Sequence, residues 1–284
     1  MARRHIADEP TSKLAVWAWR VGVFSLAAAL LAIVIVRAGL LEFRPGLATF
    51  GGALAFAVLA MLLALAAFVV IWKDGLGGMG QALAAMALSF ALLAYPAYFV
   101  VKAYQLPWIY DITTDPIDPP RYEALAKVRP RDANPVAYAG LYAAEQQRAA
   151  YPDVESLEQN ASPEAAYNAA LAVINKRRWR VVDARAPQAG RRDGHIEAVA
   201  RTAIMGFRDD VVVRVRPDGD GSRIDVRSSS RHGTFDFGTN AARIRSLLDD
   251  VDEEIGDQRA ERPAESAPPK KTTPKKSAQP RTNR

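Results

Sequence analysis

Three long apolar runs dominate the first hundred residues and restrict what this chain can fold into. A helix needs roughly 20 apolar residues to cross the ~30 Å hydrocarbon core of a bilayer. Residues 17–36, 47–72 and 79–101 meet that length, and the second and third runs carry no charged side chain. Because surface helices of globular proteins keep a polar stripe, the three runs predict three transmembrane helices.

The flanks of these runs indicate an anchor without a transport pathway. Aromatic residues gather near the ends, as in the interfacial belts of membrane proteins: Trp17, Trp19, Trp72, Tyr95, Tyr98, Tyr104 and Trp108. No acid, histidine or lysine lies near the middle of a run, so proton relay and ion transport have no visible machinery. A cleaved signal peptide is an alternative for the first run, although its apolar stretch is longer than a normal signal core.

Two short connections, 37–46 and 73–78, predict an antiparallel bundle. Three pairs of small residues are spaced for close helix contact: Gly51 with Ala55, Gly78 with Ala82, and Ala87 with Ala91. Five lysines and arginines flank the N-terminal side of the bundle and three flank the other side. The positive-inside rule then predicts a cytoplasmic N-terminal segment, 1–16, in an inner (plasma) membrane protein whose C-terminal domain is periplasmic in a Gram-negative host.

The rest of the chain divides by composition. Residues 104–121 predict an extended Pro-rich linker, residues 122–256 a folded domain, and residues 257–284 a disordered basic tail. The tail carries eight Lys/Arg and three Asp/Glu, a net +5 of the formal +6, so the folded part is nearly neutral. The expected partners are therefore the lipid bilayer, its anionic headgroups or another envelope protein, and no nucleic acid. A cytoplasmic domain whose tail contacts nucleic acid is the alternative.

The order of local signals predicts an α+β domain. Ser162-Pro163-Glu164 reads as a helix start, and a short helix is expected within 135–151. Four strand-like runs follow at 179–185, 195–203, 210–216 and 223–230, the last two joined by a Pro-Asp-Gly hairpin signal, and a final helix covers 239–255. The expected fold is therefore a three-helix transmembrane bundle followed by helix, four-stranded antiparallel sheet and helix.

One face of the predicted sheet alternates acids and bases, and it is interpreted as a solvated face. The alternative is that its arginines bind an anion. Residues 228–240 are expected to place Phe235 and Phe237 in the core and to cap the last helix. The helix start beside these arginines is the other candidate anion site. The predicted ligand-binding residues are Arg201, Arg227, Arg231, Asp236 and Asn240.

Metal, cofactor and catalytic roles receive little support from the residue types. The chain has no cysteine, and His195 and His232 lack partners at zinc-ligand spacing. Carboxylates at 209, 210, 225 and 236 allow a metal site, but a turn-capping role for the first two is favoured. No cofactor, metal site or catalytic residue is predicted.

Several segments resemble the family named domain of unknown function 1499. The resemblance rests on DITTD at 111–115, Gly206-Phe207 with Asp209-Asp210, DVRS at 225–228, and Ser230-Arg231, and it covers roughly residues 110–251. It implies membrane-linked or exported proteins with no assigned reaction. The function expected is a membrane-anchored binding or interaction module of the cell envelope. The alternative is an enzyme acting on an envelope component through Asp209, Asp210, Asp236 and nearby arginines.

Overall fold

A computed structural model describes residues 10–188, 190 and 192–265, with side chains as far as residue 260. It opens with three helices: α1 (Lys13–Arg37), α2 (Phe43–Asp74) and α3 (Met79–Gln105). All three are long and apolar enough to cross a membrane. Each includes the run predicted for it and extends beyond it. Most of the predicted N-terminal segment and of the basic tail lies outside the described residues.

Alanines form the contact surfaces inside the bundle. Ala53, Ala57, Ala60, Ala64 and Ala67 recur every three or four residues along the buried face of α2, a spacing that lets helix backbones approach closely. Of the three predicted small-residue pairs, Gly78 with Ala82 borders α1, whereas the other two pairs are exposed. Sequence spacing does not reveal which face of an all-apolar helix meets its neighbours, so it could not show which of the three pairs lies at a helix contact.

The two ends of the bundle differ in what they hold. At one end, the Ser12 amide donates to the Gly77 carbonyl (3.0 Å), joining the start of α1 to the α2–α3 turn. At the other end, α3 leads into the α+β domain, which rests against the α1–α2 turn. The antiparallel arrangement therefore brings Arg37, Arg44 and Lys102 to the domain's side of the bundle, as predicted.

The domain is built on an antiparallel sheet of six strands, not the four predicted. The strands are β1 (Asp111–Thr113), β2 (Leu157–Gln159), β3 (Arg180–Arg185), β4 (Gly194–Arg201), β5 (Arg208–Asp218) and β6 (Gly221–Ser230). β3 to β6 form the predicted meander, and β1 and β2 both pair along the free edge of β6. Three-residue strands are too short to show the two-residue alternation that identifies a strand in sequence, so these two were missed.

The remaining helices are α4 (Ala124–Val128), α5 (Leu141–Ala150), α6 (Pro163–Lys176) and α7 (Thr239–Glu265). Ser162 caps α6 as expected, accepting from the Ala165 amide at 3.2 Å. α6 and α7 pack on one sheet face over a core that includes Ile196, Val213 and Ile224. α7 continues past residue 255 into the segment predicted to be disordered.

The opposite sheet face is covered as well, which corrects its interpretation as a solvated face. Residues 114–138, including α4, lie across it and enclose Leu125 with Tyr122, Val199 and Val212. The charged side chains of this face are thereby buried: Glu197 is 0% and Arg227 3% exposed. The covering segment has little regular structure, and hydrogen bonds and ion pairs to the sheet hold it in place.

Candidate functional site

A basic pocket opens at the end of the sheet nearest the bundle. It measures about 260 Å³ and is lined by Arg177, Arg178, Trp179, Arg180, Val199, Arg201 and Arg208. Arg180 and Val199 are cross-strand partners on β3 and β4, and Arg201 and Arg208 are partners on β4 and β5. Strand pairing therefore gathers arginines from three adjacent strands at one corner. The lining contains five arginines and no acid.

The pairing of Arg201 with Arg208 is electrostatically unfavourable. Like charges directly opposite each other on neighbouring strands destabilise a sheet. Burial and the charges of Arg201, Arg231 and Arg180 lower the pKa of Arg208. Among the described residues, no carboxylate forms a salt bridge with Arg180, Arg201 or Arg208. This corner is therefore an electropositive hollow that a bound anion would neutralise.

Arg178 holds a backbone conformation that side-chain-bearing residues rarely adopt. Its φ is 56°, in the left-handed region usually filled by glycine after a helix. The Arg178 amide donates to the Asn175 carbonyl and the Trp179 amide to the Ile174 carbonyl, the bonds of a Schellman motif. A left-handed residue other than glycine costs about 1–2 kcal/mol. The strained turn places a guanidinium at the pocket where glycine would fit the backbone better.

Arg177 ties the pocket to α7. It donates through Nε and Nη2 to Asp250 Oδ2 at 2.9 and 2.7 Å and through Nη2 to the Ser246 carbonyl at 2.6 Å. Its guanidinium also lies 5.4 Å from the centre of the Trp179 ring, within cation–π range. Arg177 is therefore an anchored wall of the pocket, while the other four arginines project from exposed positions.

The pocket adjoins the end of α1. Arg201 Nη1 donates to the Arg37 carbonyl at 3.1 Å. Arg37 Nη1 donates in return to the carbonyls of Ala203 and Ile204, at 2.6 and 2.9 Å, in the β4–β5 turn. Gly206 (φ 70°) passes so close that a Cβ there would lie 3.0 Å from Arg37 Cγ. These contacts dock the sheet corner directly on the helix end.

Aromatic rings complete this junction and correct the expectation that Phe235 and Phe237 fill the core. Phe237 contacts Phe99 of α3 with centroids 5.1 Å apart, and Phe235 stacks on Trp108 at 5.5 Å. Phe43 of α2 meets Phe207 at 4.7 Å. Phe237 also has a φ of 56°, which is unusual for a bulky residue. The two phenylalanines therefore join the domain to the bundle and its linker.

Arg227 and Arg231, predicted to bind a ligand, are enclosed by protein partners. Arg227 binds both carboxylate oxygens of Asp111, at 2.9 and 2.6 Å, and lies 4.7 Å from the centre of the Tyr122 ring. Burial raises the pKa of Asp111 despite this pairing. Arg231 Nε donates to Asp210 Oδ1 at 2.8 Å. Arg231 Nη2 lies 2.7 Å from the same oxygen and forms an ion pair with it, but its angle does not suit a hydrogen bond. Both arginines hold β6 to its neighbouring segments.

Asp236 caps the start of α7, and Asn240, the second residue of that helix, ties it to the sheet. Asp236 accepts from the amides of Gly238 (2.9 Å) and Asn240 (2.8 Å). Asn240 accepts from Ser228 Oγ at 2.7 Å and donates to the Tyr110 carbonyl at 2.9 Å. Of the five predicted ligand-binding residues, only Arg201 lines the pocket. A ligand-binding role for the other four stays a prediction from sequence.

The three acids of the enzyme alternative, Asp209, Asp210 and Asp236, also have partners within the protein. Asp209 pairs with Arg243, and Asp210 pairs with Arg129 at 2.8 Å as well as with Arg231. Burial raises the pKa of Asp209 and of Asp236. The basic pocket contains none of them. Each therefore has a partner that accounts for its position in the fold.

A cluster of Asp183, His195 and Glu197 has potential ligand atoms within 4.8 Å of one another. Glu197 already accepts from His195 at 3.0 Å and from the amides of Glu123, Ala124 and Leu125 at 2.7–2.9 Å. Burial acts to raise the pKa of Glu197, but these bonds lower it to about 2. The carboxylate caps α4 and helps to hold the covering segment, which accounts for the cluster.

The prediction found one of the pocket arginines and missed the others. Arg177, Arg178 and Arg180 follow a helix, and Arg208 starts a strand, so nothing in sequence spacing brings them to Arg201. For Arg208 alone, the short β4–β5 turn was a signal in the sequence that could have linked it to Arg201. It makes Arg201 and Arg208 cross-strand neighbours once the strand ends are placed correctly.

Three candidate membrane helices with an α+β domain docked on one end of their bundle indicate a membrane-anchored protein. Residues 111–251 match the family model described as "Protein of unknown function (DUF1499)". The match covers β1 to most of α7, which is nearly the whole α+β domain. The motifs that carry the resemblance include residues that form buried ion pairs, such as Asp111 with Arg227.

Other known proteins add little to this assignment. No curated protein matches the chain. Among solved structures, CalU16 from Micromonospora echinospora is similar over 39% of this chain and 79% of that chain, with 12% identity and a TM-score of 0.22. A similarity of this size carries no argument about fold or function.

Proposed function

We propose that this protein is a membrane-anchored binding module that takes a small anion into the pocket at the bundle end of its α+β domain. One observation carries the proposal: Arg180, Arg201 and Arg208 converge on a lined hollow with no acidic residue in its wall. Arginine guanidinium groups suit phosphate and carboxylate groups because they donate two parallel hydrogen bonds. The pocket volume of about 260 Å³ lies just below the usual ~300–1,000 Å³ of ligand sites, which favours a small ligand.

The proposal places the N-terminus in the cytoplasm and the domain on the periplasmic side of the inner membrane. It is supported by five basic residues on the N-terminal side: Arg3, Arg4, Lys13, Arg20 and Lys73. On the domain side, Arg37 and Lys102 both donate to carbonyls of the domain. Because these two cations are needed to dock the domain, they count less as evidence that their side of the bundle is cytoplasmic. The excess of basic residues on the N-terminal side is therefore larger than the ratio of five to three suggests.

Residues 1–284 contain no cysteine, which permits a clean test of sidedness. A single cysteine replaces exposed Ala203 or, in a second variant, exposed Asp74 at the end of α2. A membrane-impermeant maleimide added to intact spheroplasts should label Ala203→Cys and should spare Asp74→Cys until the membrane is opened. The reverse pattern would place the domain in the cytoplasm.

Anion binding is tested on the full chain in a non-ionic detergent by titration calorimetry with glycerol phosphate. Saturable binding is expected for the wild type and for Arg192→Gln, which removes an exposed arginine two residues before β4, at the opposite end of that strand from Arg201. Arg201→Gln and Arg208→Gln should each weaken binding by roughly 10-fold or more, the usual effect of losing a charge-assisted hydrogen bond. Heat that never saturates, or equal binding by all variants, would refute the proposal.

A further inference from the structure

The pocket lies at the level where a lipid headgroup would meet the domain. α1 ends at Arg37, whose carbonyl accepts from Arg201 at 3.1 Å. A Cβ at Gly39, in the following turn, would lie 3.8 Å from Arg208 Nη2. Two pocket arginines therefore contact or border the residues that end the first candidate membrane span.

The exposed residues around this end of the bundle are those of a membrane interface. Leu40 in the α1–α2 turn is 76% exposed, and Tyr104 in the last turn of α3 and Trp108 just beyond it are 88% and 69% exposed. Exposed tyrosine and tryptophan rings characterise the headgroup region of membrane proteins. With α1 spanning the bilayer, Leu40 enters the interface, and Arg201 and Arg208 stand beside it.

We infer that the pocket holds the phosphate of an anionic phospholipid from the leaflet on which the domain rests. This inference rests on the proposed anion-binding function and names the source of the anion. The phosphodiester supplies a negative counter-charge to the facing arginines. The acyl chains of the lipid remain in the bilayer next to the end of α1. Basic pockets beside membrane helices bind headgroups through this combination of charge and position.

A bound phosphate would also account for two energetically unfavourable features of the pocket. An arginine at the left-handed position 178 and the direct pairing of Arg201 with Arg208 are each unfavourable by themselves. A phosphate between the guanidinium groups turns that repulsion into attraction on binding. Strained residues that persist at one corner of a fold are a feature of ligand sites.

The test is native mass spectrometry of the full chain in non-ionic detergent, titrated separately with phosphatidylglycerol and phosphatidylcholine. The wild type and Arg192→Gln should retain one phosphatidylglycerol molecule in preference to phosphatidylcholine. The double variant Arg201→Gln/Arg208→Gln should lose this preference and bind roughly 10-fold more weakly or worse. Near-ultraviolet circular dichroism checks that the double variant is folded, and Arg180→Gln replaces it in the comparison if it is not.

The outcomes separate this inference from the proposed function. Binding of glycerol phosphate without preferential retention of phosphatidylglycerol would overturn the lipid inference and leave the anion site standing. Binding of neither would overturn both. Phosphatidylglycerol retention that is equal in the wild type and in the pocket variants would show that the lipid binds elsewhere, which also overturns the inference.

Discussion

Arginines in two neighbouring parts of the domain differ in burial and in whether they have a carboxylate partner. Arg227 on β6 is buried against Asp111, and Arg231, the first residue after β6, is buried against Asp210. Arg201 and Arg208, at the end of β4 and the start of β5, are exposed and face each other. A buried charge must have a partner because its desolvation is expensive, whereas an exposed charge can remain available. The buried pairs therefore serve the fold, whereas the facing pair has no acidic partner among the described residues and remains available to an anion.

The largest expected effect comes from breaking a buried pair. Arg227→Gln should destabilise the domain by about 3–5 kcal/mol because it leaves Asp111 buried without its counter-charge. Thermal unfolding of the full chain in detergent, followed by near-ultraviolet circular dichroism, measures the change. Arg180→Gln, at an exposed pocket arginine with no acidic partner among the described residues, is the matched control and should shift stability by no more than about 0.5 kcal/mol. Equal losses in both variants would remove the distinction between the two sets of arginines.

Glu197 tests the covered face through pH. Its folded-state pKa of about 2 lies below the ordinary value of 4.5, so its stabilising contribution is complete above pH 4.5 and is lost as pH falls towards 2. Glu197→Gln should therefore cost about 2 kcal/mol at pH 7, and the gap from the wild type should narrow over that acidic range. Unfolding measured at a series of pH values checks this. A gap independent of pH would mean that shape, and not charge, makes Glu197 important.

Arg178→Gly should separate stability from binding. Glycine relieves about 1–2 kcal/mol of left-handed strain, and the greater freedom of the unfolded chain offsets about 0.4–1 kcal/mol of that gain. The net expectation is a stabilisation of roughly 0.5–1 kcal/mol with weaker binding of glycerol phosphate. Arg148→Gly, on α5 at ordinary helical φ, is the control and should be destabilised instead. A loss of stability at position 178 would show that the arginine supports the turn.

The smallest effect concerns the facing pair itself. Arg208→Glu converts a repulsive cross-strand pair with Arg201 into an attractive one, worth a few tenths of a kcal/mol in stability. The same change should abolish anion binding, because a carboxylate then occupies the site of the anion. Unfolding and calorimetry on one sample measure both. A variant that still binds glycerol phosphate with wild-type affinity would place the anion away from β5.

Prediction from sequence was strongest where periodicity is long and weakest where contacts are non-local. The three helices, the meander from β3 to β6 and the Ser162 cap follow from local patterns of apolar and capping residues. The alternation along β4 and β6 also identified the charged face correctly. What covers that face could not be read, because residues 114–138 lack periodicity and are held by ion pairs to partners far away in the chain.

The candidate site shows the same limit. Arg201 was found because strand alternation placed it on the charged face. Arg208 and Arg178 were missed because a strand boundary and a helix-ending turn decide their positions. Phe235 and Phe237 were assigned to the core because apolar residues next to a helix start usually belong there. The bundle end offered them a second apolar surface, which local sequence does not reveal.

The sequence by itself determined the three candidate membrane helices and the antiparallel meander, since each depends on patterns within a few tens of residues, and it also carries the family match over residues 111–251. Only the tertiary structure decided which arginines have partners. An arginine's energy depends on the distance to the nearest carboxylate and on its exposure to water, and both are set by contacts between distant segments. Arg227 and Arg201 look alike along the chain, yet folding buries the first against Asp111 and leaves the second at an open basic pocket.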